Sequence, residues 1–113
     1  MIRQDYIKRL IEQLAHAVAR ALGKSDKSEA EQALQQLQQA YGELGVGRGF
    51  LHLDARSLRA ILGTPERARA VAEVCRLEAR LLERLGETAR AAERRQYAAE
   101  LCPEPRGASS GSS

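Results

Sequence analysis

The sequence predicts an all-α protein of about five helices. Three observations carry that reading. Apolar residues recur at spacings of three and four along most of the chain, and no stretch reads convincingly as a strand. Single glycines at Gly23, Gly63 and Gly86 follow the periodic stretches as stop signals, and Asp54 and Thr64 stand as N-caps before the next ones. Composition is that of a globular chain: of 113 residues, 43% are hydrophobic and 29% charged, which excludes collagen-like and disordered classes. No apolar run approaches the roughly 20 residues of a membrane-spanning helix.

The first helix spans residues 3–22. Tyr6, Ile7, Leu10, Ile11, Leu14, Val18, Ala21 and Leu22 form its apolar stripe. The linker Lys24-Ser25-Asp26-Lys27-Ser28 follows Gly23. Ser28 with Glu31 fits a capping box for the second helix. Ala30, Ala33, Leu34, Leu37, Ala40, Tyr41 and Leu44 share one face of that helix, and five glutamines occupy the other. Gly42 and Gly45 end it. The glycine-rich stretch Gly45-Val46-Gly47-Arg48-Gly49-Phe50 reads as a loop. Asp54 then opens a short third helix with Leu58, Ile61 and Leu62 on its buried side.

Thr64-Pro65-Glu66 restarts the chain as a fourth helix running to about Leu85. Val71, Val74, Cys75, Leu77, Leu81, Leu82 and Leu85 make its apolar face wide enough for more than one neighbour. After Gly86 the fifth helix runs from about Thr88 to Cys102. Its packing residues are expected to be Ala91, Ala92, Ala98, Ala99, Leu101 and Cys102. Pro103 and Pro105 stop it. Residues 1–103 thus form one helical domain. Residues 104–113 read as a flexible Gly/Ser-rich tail, either a linker or an expression remnant.

Ala79, Leu82, Leu85-Gly86, Ala91, Ala98 and Pro103 together resemble a tetratricopeptide unit. Arg95 departs from the pattern where that family places an aromatic, and the family's early Trp is absent. Ala33, Leu37 and Ala40 echo the same phrase in the second helix, with Gly45 where a Pro would close the unit. The resemblance covers roughly 80 residues in two degenerate units. It implies two antiparallel helical hairpins joined by a loop and a short helix, and a groove for a partner's helix or extended segment. The opening Met1-Ile2-Arg3-Gln4-Asp5-Tyr6-Ile7-Lys8-Arg9-Leu10-Ile11-Glu12-Gln13-Leu14 is similar to that of small bacterial all-helical proteins of unknown function, which implies a bacterial cytosolic origin but supplies no activity, cofactor or site.

Chemistry-bearing constellations are sparse. His16 and His52 are the only histidines. His16 reads as a boundary or core residue, and His52 with Asp54 lacks a nucleophile beside it. Gly45, Gly47 and Gly49 lack the strand and spacing of a dinucleotide loop. Cys75 and Cys102 read as small buried hydrophobes rather than a disulfide framework or zinc site. Glu73, Glu78, Glu83 and Glu87, interspersed with Arg76, Arg80, Arg84 and Arg90, read as a solvated face of weak ion pairs. Net charge is +3, and acidic residues are interspersed among the basic ones. The reading is therefore not an enzyme, with no cofactor and no metal. No signal peptide is visible, so the expected address is the cytoplasm.

What remains is protein recognition: a small interaction or adaptor module, with Arg76, Arg80, Arg95 and Tyr97 as candidate partner contacts. The wide face of the fourth helix also suits a homodimer. A membrane partner is not expected. The competing reading is a nucleic-acid-binding regulator with a degenerate helix-turn-helix around Gly63, Arg67 and Arg69. It is disfavoured by Arg59 and Arg69 at positions that normally hold small or apolar residues.

Overall fold

Local signals set most helix boundaries. In the computed structural model, which describes residues 4–24, 26–46, 49 and 52–102, the elements are α1 Gln4–Leu22, α2 Lys27–Glu43, α3 Ala55–Leu62, α4 Pro65–Arg84 and α5 Thr88–Leu101. The described residues hold five helices and no strand, so the fold is all-α. Asp54 caps α3 by accepting the Ser57 N–H at 2.8 Å, and Thr64 caps α4 by accepting the Arg67 N–H at 3.2 Å. Each such cap is worth about 1 kcal/mol. Gly63 ends α3 in the left-handed region at φ 83°, a conformation a Cβ penalises.

One cap differs from expectation. Asp26, not Ser28, caps α2, accepting the Ser28 N–H at 3.0 Å. A carboxylate is the stronger acceptor and suits the positive end of the helix dipole, so Ser28 falls into the first turn. The Ser28 N–H holds the Asp26 carboxyl below its ordinary pKa range, and the Ser57 side chain, followed by its N–H, does the same for Asp54. Met1–Arg3, Ser25, Gly47, Arg48, Phe50, Leu51 and residues 103–113, with Pro103, Pro105 and the tail, lie outside the described residues.

Helix α4 is the centre of the assembly. It packs against every other helix, most extensively against α5. Contacts fix the directions. Tyr6 at the start of α1 donates to Glu43 at the end of α2, so these two helices are antiparallel. Gln38 and Tyr41 on α2 meet Glu78 and Cys75 on α4 in descending order, so that pair is antiparallel too. Arg95 pairs with Glu83 and Arg76 reaches Cys102, which makes α4 and α5 antiparallel. Ile7 and Ile11 lie beside Ala70 and Glu73, and the Arg84 guanidinium donates to the Lys24 carbonyl. Helices α1 and α4 are therefore parallel.

The core lies around α4. Val71, Val74, Cys75 and Leu81 are fully buried and join Leu14 and Val18 of α1, Leu37 and Ala40 of α2, Leu58 and Leu62 of α3, and Ala98 and Leu101 of α5. Each fully buried Leu or Val contributes about 1.5–3 kcal/mol of transfer free energy. Four expected faces are corrected. Tyr6 is 47% exposed and Ile61 60% exposed. Tyr6 lies one residue, about 100° of helix, ahead of the Ile7 stripe. Leu58 and Leu62 already fill the short contact face of α3. Ala92 and Ala99 are exposed, each 100° past the buried Ala91 and Ala98. Glu78 is buried rather than part of the solvated face.

Candidate functional site

Two features concentrate the polar chemistry of the molecule. The first is a buried cluster where α2, α4 and α5 meet. The Glu78 side chain is 1% exposed. Its Oε1 accepts the Tyr41 hydroxyl proton at 2.6 Å, and its Oε2 accepts from Gln38 Nε2 at 3.3 Å. Arg94 Nε stands 3.0 Å from Oε1 but its N–H is not aligned on that oxygen, so the contact is ionic rather than hydrogen-bonded. The Tyr41 hydroxyl also lies 3.3 Å from Cys75 Sγ.

Burial is the main cause of the shifts in this cluster. It raises the Tyr41 hydroxyl far above its ordinary pKa, helped by the negative charge that Cys75 or Glu78 would carry. It pushes the Cys75 thiol up to about 11. The thiolate is the reactive form, so at neutral pH Cys75 is a poor nucleophile. The cluster is a closed internal network that registers three helices.

The second feature is a groove between α1 and α4, with a volume of about 270 Å³. Ile7, Ile11 and Ala70 form its floor. Lys8 and Glu12 rise from α1, and Glu66, Arg69 and Glu73 from α4. Ile7 and Ala70 are buried at the base of the slot, and Ile11 is the more exposed part of the floor. Within reach of other described residues, Lys8, Glu12, Glu66 and Arg69 form no ion pair, whereas Glu73 holds Arg76 Nη1 at 2.8 Å.

The four residues expected to contact a partner do not converge. Arg76 is half-buried, and its Nη2 donates to the Cys102 carbonyl at 3.0 Å at the C-terminus of α5. Arg80 is exposed one turn further along α4. Arg95 pairs with Glu83, which raises the guanidinium and lowers the carboxyl pKa. The Tyr97 hydroxyl donates to the Leu53 carbonyl at 2.9 Å, and partial burial raises its pKa. Arg76 alone borders the groove, through Glu73.

Arg59 has a structural use that sequence reasoning missed. Its guanidinium donates to the carbonyls of Glu100 at 2.7 Å and Leu101 at 2.8 Å. A cation on the negative end of a helix dipole completes the orphan carbonyls there. The long side chain that argued against tight α3–α4 packing thus ties α3 to α5. Arg67 and Arg69 separate: Arg67 Nη1 lies 3.9 Å from where a Cβ on Gly45 would stand, and Arg69 borders the groove. His16 and His52 are exposed. Among the described residues no three His, Cys, Asp or Glu side chains come together as a metal site requires, and no helix is long and apolar enough to cross a membrane. Comparison with family models, with curated proteins and with solved structures finds no match for this chain.

Proposed function

We propose that the protein is a small non-enzymatic interaction module that buries an apolar segment of a partner protein in the α1–α4 groove. The observation that supports this reading is the groove itself: a floor of Ile7, Ile11 and Ala70, open between two parallel helices and edged by charges of both signs. An apolar floor supplies affinity through removal of water, and a charged rim selects orientation and rejects wrong partners. Arg76 and Arg80 continue the α4 edge and remain the partner contacts closest to it. Arg95 and Tyr97 lie on α5 and act in this reading as supports of the scaffold.

The test is capture from nuclease-treated bacterial cytosol by the native chain and by Ile11→Gln, followed by washing at high salt. Ile11 is only partly buried, so unchanged circular dichroism and melting qualify the variant as folded. The reading expects a protein retained at high salt by the native chain and lost with Ile11→Gln. An identical set of bound proteins for both chains contradicts it. So does recovery only of nucleic acid that salt releases, the behaviour of phosphate contacts.

A further inference from the structure

The charges around the groove have an order. Residues of α1 lie beside residues of α4 about 60 positions later, as the Arg84–Lys24 contact shows at one end and the groove lining at the other. On that register Lys8 and Arg69 flank the middle of the groove from opposite sides. Glu12 and Glu73 flank it one turn further on, and Glu66 stands one turn before. The sequence of charge along the groove is therefore acid, base, acid. Steps of three or four residues correspond to about 5 Å, the rise of one helical turn. Side chains on one face of an extended strand recur at about 6.7 Å and fall out of step.

Four of these five side chains, Lys8, Glu12, Glu66 and Arg69, have no ionic partner among the described residues. Lys8, Glu12 and Arg69 are exposed. An apolar floor edged at turn spacing by charges, all but Glu73 without an ionic partner among the described residues, is complementary to one kind of ligand. We infer that the groove takes an amphipathic helix whose apolar stripe is flanked by base, acid and base at successive turns. The inference rests on the interaction reading above and adds the chemistry of the partner. Paired Glu12 and Glu73 at one end and Glu66 at the other repel phosphate, so a nucleic acid or an anionic lipid surface is a poor occupant.

Two synthetic helices of about 18 residues test this, long enough to populate the helical state. Both carry the same Leu/Ala stripe. One bears Lys, Glu and Lys at i, i+4 and i+8 beside it; the other bears Glu, Lys and Glu. Fluorescence anisotropy titrations use the native chain, Ile11→Gln, and the double variant Lys8→Glu/Arg69→Glu, each checked for an unchanged melting curve. The native chain is expected to bind the Lys-Glu-Lys helix about tenfold more tightly than its inverse, since selection here is a difference of electrostatic fit. The double variant is expected to lose or reverse that preference, and Ile11→Gln to weaken both peptides. Equal binding of the two peptides, still weakened by Ile11→Gln, overturns the charge order and leaves the groove reading standing. No binding of either peptide, or binding indifferent to Ile11→Gln, overturns both. A dimer of the chain alone that Ile11→Gln dissolves overturns the inference in favour of a second copy as occupant.

Discussion

Helices α4 and α5 pack on each other but are held by different physics. Eleven of the twenty residues of α4 are buried, and most are aliphatic. Only Ala91, Ala98 and Leu101 are buried among the fourteen residues of α5. Alanines bury little area, so apolar transfer anchors α5 weakly. Polar contacts make up the difference: Glu78–Arg94 inside, Glu83–Arg95 outside, Arg59 and Arg76 on its terminal carbonyls, and Tyr97 on Leu53. One helix is core; the other is clamped on by arginines, which form fifteen of the eighteen cations. Directional contacts fix register where small side chains leave it loosely specified, and they are more sensitive to salt and substitution than buried area is.

The difference can be broken from either side. Leu81→Ala, in the last turn of α4 and fully buried, is expected to cost the most, about 2–5 kcal/mol in urea unfolding, because it leaves a cavity in the core. Arg94→Met leaves the Glu78 carboxylate buried with, among the described residues, Tyr41 and Gln38 as its donors. It is expected to cost about 3 kcal/mol, while Glu78→Leu combined with Arg94→Met recovers most of the loss. A double variant no more stable than Arg94→Met alone would show that the pair is not the source of the cost.

Alkali tests the same buried cluster. The folded Cys75 thiol titrates near 11, raised from its ordinary 9.0. The folded chain then holds a proton that the unfolded chain has released. Its contribution is complete below pH 9 and is lost as pH rises through 11, at most about 2–3 kcal/mol. The raised Tyr41 acts in the same direction at higher pH. Cys75→Ala is expected to flatten the fall in urea midpoint between pH 9 and 11; an unchanged slope counts against burial as the cause.

Smaller effects sharpen the contrast. Arg59→Ala is expected to cost about 1–2 kcal/mol and to fray the last turn of α5 first, since charge-assisted bonds to carbonyls are lost at a partly open site. Circular dichroism with amide exchange at Ala99–Leu101 reads that fraying. Glu83→Gln is expected to have the smallest effect on stability and to erase most of the salt dependence of α5 opening, as suits an exposed pair. An equally salt-dependent variant would place that dependence elsewhere.

The sequence made the fold legible wherever the signal was local. The caps Asp54 and Thr64, the stop at Gly63 and the wide face of α4 follow from residues within a few positions of one another. Asp26 was missed because Ser28 and Glu31 offered a second plausible cap two residues on. The candidate site was less legible because its contacts are long-range. Glu78 sits among Glu73, Arg76, Arg80 and Glu83 in sequence, and only α2 and α5 packed on its face turn it inward. Nothing adjacent signals that Tyr41, 37 residues earlier, caps it. The groove is invisible for the same reason: Lys8 and Arg69 become neighbours only through the parallel packing of α1 on α4. A hint was present in the spacing Glu66, Arg69, Glu73, Arg76 and Arg80, which marks the one stripe of α4 left to solvent.

The most direct test of this account is native-state hydrogen exchange resolved by residue, at low and high salt. Amides of α4 around Val74–Leu82 are expected to exchange only through global unfolding, nearly unmoved by salt. Amides of α5 around Ala92–Ala98 are expected to open at a lower free energy that falls further as salt rises. If α5 instead exchanges with the same free energy as α4 and the same indifference to salt, the arginine contacts do not hold it, and the two helices form one apolar unit.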